Sequence, residues 1–187
     1  MEHDLVDEQQ GEQTFNAPEL EAGVLYAVLT FRGDYTSWDW SFFVPDSAVT
    51  PIGKSGALFH VVNYPSQGST GTLERWTFEM EPNKDVNAWP EIVAIVRLGD
   101  LSGLGCFKDV VQELITTFST VDMNIDPVEM STRKWFLDAL WVLHDCGFVT
   151  CDDAWLLERE LKKYAFSSMD TYLEVGGCKV FKSEHCS

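Results

Sequence analysis

The hydrophobic period of this chain changes once, near the middle, and that change limits the folds it can adopt. Before the glycines of residues 103–105, apolar side chains form short runs rich in β-branched and aromatic residues, which are typical of strands. After them, apolar residues recur at about every third or fourth position, the spacing of one helix face. Strands followed by helices, rather than alternating with them, predict an α+β fold.

Five apolar runs in the first half are predicted strands. Glycine, proline and other turn-forming residues separate them. The runs cover residues 24–31, 38–44, 57–63, 73–80 and 92–98. We expect them to form an antiparallel sheet of about five strands. In the fourth run, strict alternation places Trp76, Phe78 and Met80 on one face.

Three helices are predicted in the second half, and we expect them to pack on the sheet. They cover residues 107–118, the segment from Ser131 to a stop at Gly147, and residues 152–164. The Ser131 hydroxyl is suited to capping the second helix. That helix is so rich in apolar residues that burial on most sides, including Trp135 and Trp141, is expected.

Length, composition and charge indicate how many domains the chain forms and which kinds of partner are unfavourable. A length of 187 residues with 45% hydrophobic content fits one domain, expected over residues 23–187 with its core at about 24–165. Residues 1–22 carry seven acids and no Lys or Arg, which predicts a disordered acidic tail. The net charge of −17 argues against nucleic acid as a partner. No stretch is long and apolar enough to span a membrane, and no cofactor motif is present.

The cysteines and the first residues indicate a compartment. Five cysteines are an odd number, and the opening residues lack the basic and apolar regions of a signal peptide. A reducing, cytoplasmic location is therefore expected. The segment His144-x-Cys146-x4-Cys151 fits no standard zinc spacing, so burial of Cys146 is favoured over metal binding. Cys178, His185 and Cys186 belong to an end segment that could be flexible.

Three short segments, residues 40–44, 58–61 and 135–140, carry a resemblance to a known superfamily. Their layout resembles the permuted papain-like superfamily, which contains lecithin:retinol acyltransferase, its small phospholipid acyltransferase relatives and permuted NlpC-type hydrolases. It is also similar to small fungal proteins of unknown function. The resemblance covers about residues 24–165 and implies a permuted papain-like core.

The resemblance implies where a catalytic site would lie. In that superfamily a His-Trp pair on an early strand supplies the base, and a second His one strand later supports it. An Asn-Cys-x-x-[Phe/Trp] motif opens the buried helix, where the dipole favours the nucleophilic thiolate. These positions correspond to Asp39-Trp40, to His60, and to Ser131-Thr132 followed by Arg133, Lys134 and Trp135.

Two of the three chemical groups are absent, because Asp39 replaces the first His and Thr132 replaces the Cys. A threonine hydroxyl is a weak nucleophile, and a carboxylate is a weak base for an alcohol. Arg133 and Lys134 are expected to hold Asp39 ionised if they face it. The sequence therefore predicts a catalytic fold without catalysis, which binds a protein partner or a small ligand in the remnant cleft.

Each residue of this remnant site also has an ordinary structural interpretation. His60 in an apolar strand fits a hydrogen-bonded structural histidine. Asp39 fits either a solvent-facing strand residue or a pocket residue, and Thr132 fits the first turn of a helix.

Two rival functions follow from other features of the sequence. One is a cysteine-dependent hydrolase or acyltransferase with a displaced nucleophile at Cys106 or Cys151. The other is a structural or assembly protein, because a chain with seven Trp and twelve Phe is able to form aromatic interfaces.

Overall fold

The computed structural model describes residues 18–34, 36–65, 74–123 and 129–187, which form an α+β domain. Its strands are β1 (Val24–Phe31), β2 (Trp38–Pro45), β3 (Ser55–Pro65), β4 (Glu74–Asp85), β5 (Ile92–Asp100) and β6 (Lys179–Lys182). Its helices are α1 (Phe107–Phe118), α2 (Thr132–Asp145) and α3 (Ala154–Val175). The α+β class predicted from the order of the elements is confirmed.

Within the described residues, the sheet has six strands rather than the predicted five, and it is mixed rather than antiparallel. The strand order is β4-β3-β2-β1-β5-β6. Neighbouring strands are antiparallel except for β6, which runs parallel to β5. The additional strand was missed because it is only four residues long, Lys-Val-Phe-Lys, and has too few apolar residues for a strand pattern.

The C-terminal segment is packed on the domain, so its predicted flexibility is wrong. Cys186 is buried and forms a disulfide with Cys151 at the start of the α3 region. The backbone of Ser187 exchanges two hydrogen bonds with Thr150, at 2.8 and 3.0 Å. Phe181 of β6 stacks on Tyr164 of α3 with ring centroids 4.2 Å apart. These contacts join the chain end to both the sheet and a helix.

At the other end of the chain, residues 1–17 of the predicted tail lie outside the described residues. Residues 18–22, which belong to the same prediction, are packed on the domain. Leu20 is buried, and its N–H donates to the carbonyl of Gly53 at 2.8 Å. The described domain therefore begins earlier than the predicted boundary at residue 23.

The larger core lies between the sheet and the helices and is centred on α2. Trp135 is fully buried, and its ring contacts those of Phe42, Phe78 and Phe118 at 5.6 to 5.8 Å between centroids. Trp141 was expected to be buried as well, but its exposed fraction is 48%. Six residues after Trp135, it lies about 240° further around the helix and faces away from the sheet.

A smaller apolar cluster covers part of the opposite face of the sheet. Its members include Leu20, Tyr26, Val28, Phe43 and Leu58. Because strand side chains alternate between faces, Thr30, Ser41 and His60 point to this same face. Thr30 and His60 follow Val28 and Leu58 by two residues, and Ser41 precedes Phe43 by two because β2 runs in the opposite direction. The polar end of that face contains the candidate site.

Candidate functional site

A cleft opens where β2 and β3 diverge. The two strands pair only between Phe42–Pro45 of β2 and Gly56–Phe59 of β3, whereas β3 continues to pair with β4 as far as Pro65. The resulting cleft has a volume of about 400 Å³. Among its lining residues are Arg32, Asp39, Trp40, His60, Trp76 and Thr132. Four of the predicted site residues, Asp39, Trp40, His60 and Thr132, are therefore brought together.

The N-terminus of α2 closes one end of this cleft. Its first residue, Thr132, donates a hydrogen bond through Oγ1 to Oδ1 of Asp39 at 3.1 Å. The same hydroxyl accepts from the backbone N–H of Trp40 at 3.3 Å. A side chain of α2 thus satisfies a backbone amide of β2 at the point where β2 leaves β3. Ser131 precedes the helix and accepts from the N–H of Lys134 at 3.1 Å, which confirms its predicted capping role.

The carboxylate of Asp39 is shared between Thr132 and a cation. Nε of Arg32 lies 3.5 Å from Oδ1, and both side chains are about half exposed, at 48% and 46%. The hydroxyl that replaces the expected thiol is therefore hydrogen-bonded to a carboxylate rather than to an imidazole. A carboxylate is too weak a base to activate an alcohol at neutral pH.

His60 lines the same cleft but is directed toward β4. Its Nε2 lies 3.1 Å from Oε1 of Glu81, at an angle that does not satisfy a hydrogen bond. Burial lowers the pKa of His60 below its ordinary value of 6.5 and outweighs the opposite effect of Glu81, Glu79 and Asp39. Within the described chain, no hydrogen bond joins His60 to Thr132. The imidazole is therefore neutral near neutral pH and does not act on the Thr132 hydroxyl.

Arg133 and Trp135 do not face the cleft. Arg133 donates to both carboxylate oxygens of Glu158 on α3, at 2.9 and 3.3 Å, so the expected pairing of Arg133 with Asp39 is wrong. Burial opposes the charge on Glu158, but hydrogen bonds from Lys162 and Arg133 outweigh it and lower the pKa of this carboxyl. Lys134 pairs with Asp138 one turn further along α2. The two cations beside Thr132 are thus turned away, and Arg32 is the cation next to Asp39.

Aromatic walls complete the cleft, and the sequence did not indicate them as site residues. Trp76 of β4 and Trp89, which precedes β5, both line it. The strand pattern placed Trp76 only on the same face as Phe78 and Met80, and the structure packs it partly against the core. Its Nε1 is buried without a hydrogen-bond partner among the described residues. These two indoles lie far in sequence from the motif residues, and only the tertiary fold brings them to the cleft.

The cysteines proposed as displaced nucleophiles lie elsewhere. Cys151 is bonded to Cys186, so it is not a free thiol. Cys106 precedes α1 and lines a different hollow with Pro45 and Phe107, at the far end of β2 from the cleft. Burial raises the pKa of Cys178 to about 11, which keeps that thiol protonated.

The predicted burial of Cys146 is also wrong. This residue ends α2 and is exposed. Nδ1 of His144 accepts a hydrogen bond from the backbone N–H of Cys151 at 3.2 Å. The Cys151 thiol is bonded to Cys186 and the Cys146 thiol is exposed, so the three side chains do not form one cluster. In the parts of the chain that the structure describes, no three His, Cys, Asp or Glu residues are grouped so that they could hold a metal ion.

Comparison of the chain with protein-family models, with curated proteins and with solved structures found no match in any of the three. Function is therefore inferred from the geometry of the cleft. Of the helices in the described residues, none has the combination of length and hydrophobicity that crossing a membrane requires.

Proposed function

We propose that this chain is a non-catalytic protein with a permuted papain-like core, and that it binds a small ligand in the remnant cleft. The state of the Thr132 hydroxyl carries this proposal. It occupies the position expected for a nucleophilic thiol, yet it is held between the Asp39 carboxylate and the Trp40 amide. Neither a thiolate nor a facing imidazole is available, so the acyl-transfer chemistry of the superfamily has no nucleophile and no base.

The dimensions and lining of the cleft support a small ligand over a protein partner. A volume of about 400 Å³ falls within the range of about 300 to 1,000 Å³ found for small-molecule sites. The indoles of Trp76 and Trp89 supply apolar walls, and Asp39, Arg32 and neutral His60 supply polar groups. This combination suits a ligand with a flat apolar part and a hydrogen-bonding head group.

The rival enzyme with a displaced nucleophile has less support. Cys151 is in a disulfide, and the hollow that contains Cys106 has no histidine among its lining residues.

A fragment screen tests the binding proposal. Ligand-observed NMR with a library of small aromatic amides and carboxylates should identify compounds that bind the wild-type chain. Binding should be lost in Trp76→Ala and weakened in Asp39→Asn, because these remove an apolar wall and a polar contact of the cleft. Trp141→Ala is the matched control, since that indole lies on the outer face of α2. Turnover of esters, thioesters or amides by the wild-type chain, or binding unaffected by both cleft variants, would contradict the proposal.

A further inference from the structure

A second surface adjoins the cleft, with which it shares Arg32, Trp40 and Thr132, and it combines positive charge with exposed apolar groups. Two adjoining hollows of about 470 and 250 Å³ share Thr36, Trp38 and Lys162. The basic side chains that line them are Arg32, Arg133, Arg159, Lys162 and Lys163, and Phe166 forms an apolar wall. We call this surface the basic groove.

The basic groove is a positively charged surface on a chain that is strongly acidic as a whole. It contains five of the 13 Lys and Arg residues in a chain of net charge −17. Asp39 pairs with Arg32, and Glu158 pairs with both Arg133 and Lys162. Among the residues that the structure describes, Arg159 and Lys163 form no salt bridge. The basic side chains therefore outnumber the acids that pair with them, and the groove attracts anionic groups.

Apolar side chains on α3 extend the groove. Phe166 and Trp155 have exposed fractions of 66% and 59%. The Arg159 guanidinium lies 4.7 Å from the ring centroid of Trp155. Residues 155, 159, 163 and 166 follow one another at helical spacing, so they lie along a single face of α3. This face suits an extended segment that carries both acidic and apolar residues.

We propose that residues 1–17 of the same chain dock in the basic groove. This segment, which lies outside the described residues, contains five acids, no Lys or Arg, and four large apolar residues, Met1, Leu5, Val6 and Phe15. Its composition is thus complementary to the groove in both charge and hydrophobicity. Elsewhere the excess of acids on the chain repels such a segment.

The segment is long enough to reach the groove. Its attachment point is fixed because Leu20 is hydrogen-bonded to Gly53, which precedes β3, whereas Trp38 of the groove begins β2. The eight residues of β2 span about 26 Å, at about 3.3 Å per residue. Seventeen residues reach at most about 56 Å when extended. Covalent attachment also gives the segment a high effective concentration at the groove.

Cleavage after Leu5 by chymotrypsin, quantified by mass spectrometry at low ionic strength, tests this docking. Leu5 is the site to follow because it is fifteen residues from Leu20, whereas Phe15 is only five residues away and reaches at most about 17 Å, which is short of the groove. A docked segment is protected, so wild-type protein should be cut slowly. Arg159→Glu/Lys163→Glu should accelerate the cut by about fivefold or more, because it reverses the two unpaired charges. Lys108→Glu/Lys179→Glu is the matched control. It changes the net charge equally at exposed sites outside the groove and should leave the rate unchanged.

Charge reversal on the segment distinguishes docking in the groove from an effect of net charge on the cleavage rate. Glu8→Lys/Glu12→Lys in the wild-type background should accelerate the cut, and combining it with Arg159→Glu/Lys163→Glu should restore slow cleavage. Circular dichroism checks that each variant is folded. Equal rates in all variants would overturn the proposal. Protection that increases with protein concentration would also overturn it, because the groove would then hold the segment of a second copy.

Discussion

At the scale of single residues, the site depends on one hydrogen-bonded pair. Thr132 and Asp39 occupy the positions where the resemblance places a thiol and an imidazole, and their side chains are in contact. The Trp40 amide of β2 is also a donor to whatever atom stands at position 132, in the first turn of α2. The position is thus suited to stabilising an anion, although the wild-type residue does not form one.

Restoring the superfamily pattern tests whether this preorganisation exists. Asp39→His/Thr132→Cys should produce a thiol that reacts with iodoacetamide faster, and at lower pH, than the free thiols of Cys106, Cys146 and Cys178. Thr132→Cys alone is the matched comparison and should react more slowly, because the Asp39 carboxylate opposes formation of the thiolate. If the new thiol titrates near the ordinary value of about 8.5 in both variants, no preorganised site exists at the start of α2.

His60 should make the stability of the fold depend on pH. Its pKa is lowered in the folded state from the ordinary 6.5, so folding favours the neutral imidazole. Its contribution is therefore fully present above pH 6.5 and is lost as the pH falls below 6.5 through the folded pKa. Urea denaturation between about pH 8 and pH 5.5 should show this loss for wild type and a smaller loss for His60→Gln. Identical pH profiles for the two proteins would contradict the prediction.

The sequence indicated part of the site at this scale. Asp39, Trp40, His60 and Thr132 were found from short motifs, and all four line the cleft. Arg133 is adjacent in sequence to Thr132, but the helix turns it toward Glu158. The indoles of Trp76 and Trp89 were missed because they lie on β4 and before β5, and no local pattern indicates that the fold brings them to the cleft.

At the scale of elements, periodicity located each of the five longer strands and three helices, but not every boundary. The third helix ends at Val175, where Gly176 adopts a φ of +66°, rather than at residue 164. Its second half lacks the dense apolar pattern that marked the first. Packing of Ala165, Ser168 and Met169 against the domain extends it, and this tertiary contribution has only a weak sequence signal.

The central position of α2 predicts a contrast between its two tryptophans. Trp135→Ala should lower the free energy of unfolding by about 3 to 5 kcal/mol, because it removes a fully buried ring that contacts three others. Trp141→Ala on the outer face should cost less than about 1 kcal/mol. Chemical denaturation of both variants measures the difference. Equal losses would show that the core is not centred on this helix.

At the scale of the whole molecule, both ends of the described chain are attached to the domain. The disulfide between Cys151 and Cys186 joins residues 35 apart and fixes the segment that follows β6. Glu160 on α3 accepts a hydrogen bond from the Ser183 hydroxyl at 2.6 Å within the same region. Cysteine spacing alone did not reveal this pairing, because five cysteines allow many combinations.

Removing this crosslink should destabilise the fold. Cys151→Ser/Cys186→Ser should lower the free energy of unfolding by about 3 to 4 kcal/mol, the loop-entropy value for a closure of this length. Cys106→Ser/Cys146→Ser is the matched control and should have little effect, because both side chains are exposed and free. Urea denaturation without reductant provides the measurement. A loss below about 1 kcal/mol in the first variant would show that the disulfide does not hold the chain end.

The strand order leaves β4 at one edge of the sheet, where a row of backbone groups faces away from β3. Such an edge is a template on which a second copy can add a strand and begin aggregation. Half of the twelve residues of β4 are charged, including Glu79 and Glu81. Pro82 has no backbone N–H, so one hydrogen-bond donor is missing from this strand. Asn83, with a φ of +56°, bends the strand immediately afterwards. The chemistry of this strand thus protects the folded protein from joining its sheet to that of a neighbour.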